Sequence, residues 1–236
     1  MGNSYFQFKQ FTIHQDKTAM KVCTDACLFG AYLSKNIPAK RVLDIGAGTG
    51  LLDLMYVQNN VSSHITAIEI EENAYLQAKD NIEKSEWKDT ITVQNVALQA
   101  FEPDTKFELI FSNPPFFDND LKSIKAARNM AMHSTQLSLK EIFSFSEKYL
   151  ENEGKLALLL PFHRTKEAEK IALEHSFFLF DKVLVKQTIQ HDFFRSILIF
   201  SNTKNETKES EITIRNKDNQ YANSFAELLK DFYLYL

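Results

Sequence analysis

The stretch SNPPFF, Ser112 to Phe117, closes an apolar run, FELIFS, with the composition of a buried strand. Asn113 offers a side-chain carbonyl and Pro114 a main-chain carbonyl, both hydrogen-bond acceptors and neither a strong base. Consecutive prolines fix φ, bias the preceding residue towards extended geometry and remove N–H groups that would compete for those acceptors. Phe116 adds a flat face on which a base can stack. Asn113, Pro114, Pro115 and Phe116 together read as a clamp for a planar amine. Two acceptors take its hydrogens and favour the pyramidal form, whose lone pair points at an electrophile. Alone, the same residues also read as a rigid turn capping a strand, with Phe117 in the core.

A second motif favours the clamp. RVLDI (41–45) is followed by GAGTG, so Gly46, Gly48 and Gly50 stand at a strand's carboxyl end, where such sheets bind ligands. The dinucleotide fingerprint G-x-G-x-x-G is not met, because its sixth position is Leu51. Asp44, ahead of the loop, suits a cationic ligand, and the helix that follows offers free N–H groups to a carboxylate. Glu69, ending the next strand, is placed to accept hydrogen bonds from two ribose hydroxyls. The set resembles the S-adenosylmethionine site of Rossmann-like methyltransferases. SNPPF then resembles the (Asp/Asn/Ser)-Pro-Pro-aromatic motif of enzymes that methylate exocyclic or amide nitrogens, with Phe116 at the stacking position. Relatives commonly carry an Asp towards the cofactor's adenine after the third strand. Ala97 stands there, which leaves Asn95 or the backbone at Leu98 to substitute.

These residues need a sheet to bring them to one edge. From Arg41 onward, short apolar runs alternate with segments of helical period. The strands are expected at 41–45, 64–70, 91–96, 107–112, 155–161, 180–187 and 194–201. LLDLMYVQ, NAYLQAKDNI, LKEIFSFSEKYL and TKEAEKIALEH are the covering helices. The last two strands lack a helix between them and so pair antiparallel. The expectation is an α/β fold of the Rossmann-like class I methyltransferase kind, with helices on both faces of a seven-stranded, mostly parallel sheet whose last strand is antiparallel. Residues 1–38 form an N-terminal segment packed on the catalytic domain, 39–236, in one structural domain overall. A polar loop over 202–211, a short strand EITIR and a terminal helix AELLKDFYLYL complete the reading.

Composition sets the outer bounds. The 236 residues are 44% hydrophobic with a net charge of −4, so any nucleic-acid contact rests on local patches rather than a basic coat. Residues 1–40 carry five Lys against two Asp, and 121–140 hold four Lys/Arg and no acid. Cys23 and Cys27, the only cysteines, read as buried free thiols with no metal set. No apolar run approaches the roughly 20 residues of a membrane span and no secretory signal opens the chain, so a cytoplasmic protein is expected. His133 reads as a surface or capping residue rather than a catalytic one.

The ends of the chain narrow the resemblance. FQFKQFTIHQDKTAMKVCTDACLFGAYL and NQYANSFAELLKDFYLYL are similar to the terminal segments of the bacterial valine-tRNA adenine-N6 methyltransferases. That resemblance implies N6-methyladenosine formation beside the anticodon of a valine tRNA, with S-adenosylmethionine as cofactor, no metal, a monomeric enzyme and the anticodon loop as partner. It implies that Lys21 and Thr24 close over the cofactor's methionine end. Lys9, Lys17, Lys122, Lys125 and Arg128 are candidates for phosphate contacts, with an ordinary surface charge as the alternative reading of each lysine. Ribosomal guanine-N2 and protein glutamine-N5 methyltransferases share the clamp motif. A non-catalytic S-adenosylmethionine- or RNA-binding protein on the same fold is the alternative of another class.

Overall fold

A computed structural model of the chain describes residues 3–18, 21–115 and 137–236. Phe116, Lys122, Lys125, Arg128 and His133 lie outside the described residues. The strands β1 (Tyr5–Gln7) and β2 (Thr12–His14) form an antiparallel hairpin that leads to α1 (Thr24–Asn36). Then follow β3 (Arg41–Ile45), α2 (Leu51–Asn59), β4 (His64–Glu69), α3 (Glu72–Glu83), β5 (Ile91–Asn95) and β6 (Phe107–Ser112). The second half comprises α4 (Leu139–Tyr149), β7 (Leu150–Pro161), α5 (Thr165–Glu174), β8 (Phe178–Thr188), β9 (Phe193–Ser201), β10 (Lys208–Arg215) and α6 (Asn223–Leu229).

The main sheet runs β10-β8-β9-β7-β6-β3-β4-β5. The expected α/β doubly wound plan and all seven expected strands are present, but the sheet has eight strands, and its final strand is parallel to its neighbour β8. The antiparallel member is β9, which inserts between β7 and β8. That insertion leaves β8 with an open edge, and EITIR extends back to Lys208 to pair with it, shortening the expected polar loop.

Side chains alternate across the strands, so β3 sends Val42 to one core and Leu43 and Ile45 to the other. The first core takes the apolar faces of α1, α2 and α6, the second those of α4 and α5. Helix α1 is buried from Ala26 through Ser34. It approaches α2 closely at Gly30, where an added Cβ would lie 2.9 Å from the Met55 sulfur. A reciprocal capping box between Ser138 and Glu141 starts α4.

The terminal helix is shorter than the sequence suggests. It stops at Leu229, and Phe232 and Tyr233 then fold into the core, Tyr233 against Phe6 and Phe8 of the N-terminal hairpin. The Lys9 N–H donates to the Phe232 carbonyl at 2.9 Å, joining the two ends of the chain. A continued helix would carry these two rings past the hairpin they cover. Among the described residues, no helix is long and apolar enough to cross a membrane.

Tyr32 of α1 donates a buried hydrogen bond to Asp181 of β8, whose other carboxylate oxygen is buried without a partner. Tyr32→Phe removes the one donor that the carboxylate has in this contact. We expect a loss of about 1–3 kcal/mol in urea unfolding with an unchanged m value.

Candidate active site

Three strand ends make the site. In the parallel register Ile45 of β3 faces Ile68 of β4 on one side and Ser112 of β6 on the other. The next residue on each strand therefore brings Gly46 level with Glu69 and Asn113. With strands about 5 Å apart, Glu69 and Asn113 flank the glycine loop roughly 10 Å from each other. The two motifs recognised in the sequence thus share one edge, and the loop lies between them.

The loop is fixed by its neighbours. The N–H groups of Gly46 and Ala47 donate to the Ile68 carbonyl at 2.8 and 3.1 Å. The Gly48 N–H donates to the Glu69 carboxylate at 2.9 Å, and the second oxygen of that carboxylate accepts from the Glu71 N–H at 2.9 Å. Gly46, Gly48 and Gly50 have φ of 84°, 58° and 76°, which side-chain-bearing residues rarely adopt. A Cβ at Gly46 or Gly48 would meet nothing within 4 Å, so this backbone faces open space on the ligand side of the sheet. Glu69 is 9% exposed and keeps lone pairs beyond the two N–H contacts.

At the other motif, the Ser112 hydroxyl donates to the Ile45 carbonyl at 2.7 Å and ties the end of β6 to the entrance of the loop. The Asn113 side-chain oxygen is buried and accepts no hydrogen bond from the described residues. Pro114 is buried and Pro115 exposed. A buried acceptor is costly when it lacks a donor.

Asp44 is wholly buried beneath the loop, and α2 brings Asp53 from its first turn to meet it. None of their four oxygens receives a donor from the described residues. Burial pushes the Asp53 carboxyl up to about 7, and burial followed by the charges of Asp53 and Glu69 raises Asp44 well above the usual carboxylate range. Sequence reasoning missed Asp53, because an acid in the first turn of a helix reads as an ordinary partner of the helix dipole.

Asn95, considered as a partner for adenine, has its side-chain amide occupied: it donates to the carbonyls of Glu69 and Ile70 at 2.8 and 3.2 Å. It holds the end of β4 in shape. Ala97 precedes a short 3-10 turn that opens with Leu98, which is buried beside this strand end.

The N-terminal segment reaches the loop through Asn81 of α3. Its amide donates to the carbonyls of His14 and Thr49 at 2.8 and 2.9 Å, and its oxygen accepts from the His14 N–H at 2.9 Å. Lys17, exposed, is held at its main chain by Gln77. The Lys21 ammonium donates to the carbonyls of Gln15 and Thr18 within its own turn, and Thr24 begins α1. Lys9 donates to the Lys230 carbonyl. At the same sheet edge the β8–β9 turn packs Phe193 on Phe162, centroids 5.4 Å apart, with the Lys186 ammonium 4.7 Å above Phe193. The run QHDFFR carries that signal only once the hairpin is known.

Residues 22–189 match the family model described as Methyltransferase small domain. The tRNA1(Val) (adenine(37)-N6)-methyltransferases of Christiangramia forsetii and Dyadobacter fermentans are 38% and 39% identical to the chain. The first alignment spans 100% of both proteins and the second 98% of each. The chain belongs to this tRNA1(Val) (adenine(37)-N6)-methyltransferase family. Among solved structures, the predicted O-methyltransferase Atu636 of Agrobacterium tumefaciens has a TM-score of 0.67 at 14% identity, covering 88% of this chain and 96% of its own. Pyrococcus horikoshii TYW2, solved with MeSAdo, has a TM-score of 0.61 at 12% identity, covering 85% and 72%. At these identities the likeness is one of fold, and it places the family in the Rossmann-like class.

Asn81 satisfies three main-chain groups at once, two on the hairpin and one on the loop. Asn81→Ala is expected to destabilise this family member by about 1–3 kcal/mol in chemical denaturation. Amide exchange at His14 should accelerate in parallel.

Proposed function

We infer that this chain methylates the exocyclic N6 of the adenosine at position 37 of tRNA1(Val), using S-adenosylmethionine. The family supports the substrate, and the buried, undonated Asn113 oxygen level with the glycine loop is the observation that carries the chemistry.

The residues present fit the cofactor. The open-faced backbone at Gly46 and Gly48 leaves room against the loop, and Glu69 offers acceptors suited to ribose hydroxyls at its flank. Asp44, buried at the end of the strand that leads into the loop, offers a carboxyl on the cofactor's side of the site. Leu98 closes on the adenine end, and Lys21 and Thr24 on the methionine end. When bound, the cofactor supplies an electrophilic methyl group on a sulfonium.

An adenine amino group is a poor nucleophile because its lone pair is delocalised into the ring. Asn113 and the Pro114 carbonyl accept its two hydrogens, so the nitrogen pyramidalises and its lone pair aligns with the methyl carbon. Both acceptor contacts would strengthen as the amine gains positive charge, so Asn113 and Pro114 favour the transition state over the bound substrate. The extra proton leaves to water afterwards, so no general base is required. Pro115 keeps the clamp rigid, and Phe116 stacks on the base.

The anticodon loop already presents unpaired bases, so turning one into the site costs less than extrusion from a duplex. Lys17 of the N-terminal segment, with Lys9, Lys122, Lys125 and Arg128, supplies phosphate contacts in this reading. The Phe162–Phe193 pair with Lys186 offers a stacking wall for a neighbouring nucleotide. A cytoplasmic location fits this reading, because that is where a bacterial enzyme meets tRNA.

Purified protein and labelled cofactor, incubated separately with unmodified tRNA1(Val), ribosomal RNA and release factors, should yield N6-methyladenosine in the tRNA alone. Label in guanosine or glutamine would overturn the assignment. Asn113→Ala should bind the cofactor with wild-type affinity in calorimetry and slow single-turnover transfer by about 100-fold or more. A near-normal transfer rate would remove Asn113 from the reaction.

A further inference from the structure

Where β4 and β5 end, an exposed side chain continues the pairing between them. Glu69 and Asn95, the last residues of the two strands, stand level, and the Val96 N–H donates to the Glu69 carbonyl at 3.1 Å. The Asn95 amide then donates to that same carbonyl at 2.8 Å and to the next one, of Ile70, at 3.2 Å. On the other flank of β4, the Gly46 and Ala47 N–H groups both go to Ile68, one residue short of this point. Ile70 is half exposed, and Glu71 already caps α3. The short link between strand and helix, which starts at Glu69, is thus held from the β5 side. A primary amide suits the task, because its one nitrogen carries two N–H groups, whereas an aspartate of the same shape would set oxygens against oxygens. Asn95 is exposed, so water could serve its amide equally well and these two bonds add little to global stability. Their effect is on the shape of the strand end.

We propose that Asn95 is a positioning residue for the cofactor's ribose: by fixing the Glu69–Ile70 peptide it keeps the Glu69 carboxylate aligned with the two ribose hydroxyls. This rests on the reading of Glu69 as the acceptor for those hydroxyls. Each carboxylate oxygen already takes one main-chain N–H, from Gly48 and from Glu71, both at 2.9 Å. Each therefore has a lone pair left for one hydroxyl, and a pair of adjacent hydroxyls meets both oxygens only when the carboxylate keeps its orientation. Gly48 and Glu71 hold the carboxylate itself, and Asn95 holds the main chain that carries it. Without Asn95, the main chain at Glu69 and Ile70 is free to shift, and the contacts that depend on the exact direction of the carboxylate are the ones lost.

Titration calorimetry without RNA tests this, with S-adenosylhomocysteine and its 2′-deoxyribose counterpart as ligands. The wild-type protein should prefer the ribose form by about tenfold or more, the effect of one hydrogen bond to a charged acceptor. Asn95→Leu keeps the size of the side chain and removes its donors. It should bind the ribose form about tenfold more weakly and the deoxyribose form as the wild type does, so that the preference disappears. Asn95→Ala should give the same pattern, and in a Glu69→Gln background neither change should weaken binding further. A merely structural role would lower the denaturation midpoint and weaken both ligands alike, and that result would overturn the proposal. So would a full ribose preference retained in Asn95→Leu and Asn95→Ala. Failure of the underlying reading looks different: the wild-type protein would itself bind the two ligands equally, which would remove Glu69 from the ribose site.

Discussion

The parallel register of β3 between β4 and β6 is the constraint on which the site depends. It is set along the strands by register pairs such as Val42 with Ile65 and Val42 with Leu109, inside the sheet. A slip of one residue in either pairing would turn Glu69 or Asn113 to the opposite face of the sheet, because side chains alternate with a period of two. The apolar residues on both faces of β3, Val42 on one and Leu43 and Ile45 on the other, make such a slip costly, since every buried side chain would lose its core. The chemistry at the edge is therefore held by packing that takes no part in it.

The N-terminal segment joins that edge by a different device. Its described residues add no strand to the main sheet, and its hairpin is held by a hydrogen-bonding side chain, Asn81, and by a cluster of rings from both chain ends. Phe8 and Phe11 stack at 4.6 Å, Tyr233 lies against Phe6 and Phe8, and Trp87 meets Phe11 edge-on. Large rings bury much apolar area for little side-chain entropy, so a short segment can be anchored firmly without extensive backbone pairing. The loop at Thr49 and the hairpin at His14 then share one amide, and displacing either strains the other. In the proposed reaction, the residues implied to close over the cofactor ride on this same segment.

The central plan was legible because it is written locally. Strands over 41–45 and 107–112 follow from apolar runs bounded by turn residues, and the glycine loop and SNPP have chemical reasons that hold without a fold. What escaped was set by distant partners. The extent of β10 depends on β9 having inserted beside β7, an event no window around EITIR records. Phe232 and Tyr233 continue a plausible helical period, yet they leave the helix because the N-terminal rings offer a core to join. Asp53 has the sequence context of a solvated first-turn acid, and only the crossing of α2 over β3 puts it against Asp44.

The site also separates its charges. The buried acids Asp44, Asp53 and Glu69 lie on the β3–β4 side, beneath and beside the loop, whereas the β6 side presents the neutral acceptors of Asn113 and Pro114. In the proposed transfer, positive charge begins on the sulfonium and ends on the amine. Neutral acceptors bind the uncharged amine only modestly, and they bind it more strongly as it becomes cationic, so their contribution grows along the reaction coordinate. A full negative charge in the clamp would also attract the cation before transfer and so stabilise the starting state. Placing the acidic residues beside the glycine loop and the uncharged acceptors under the nucleophile lets the first serve the cofactor and the second favour the transition state.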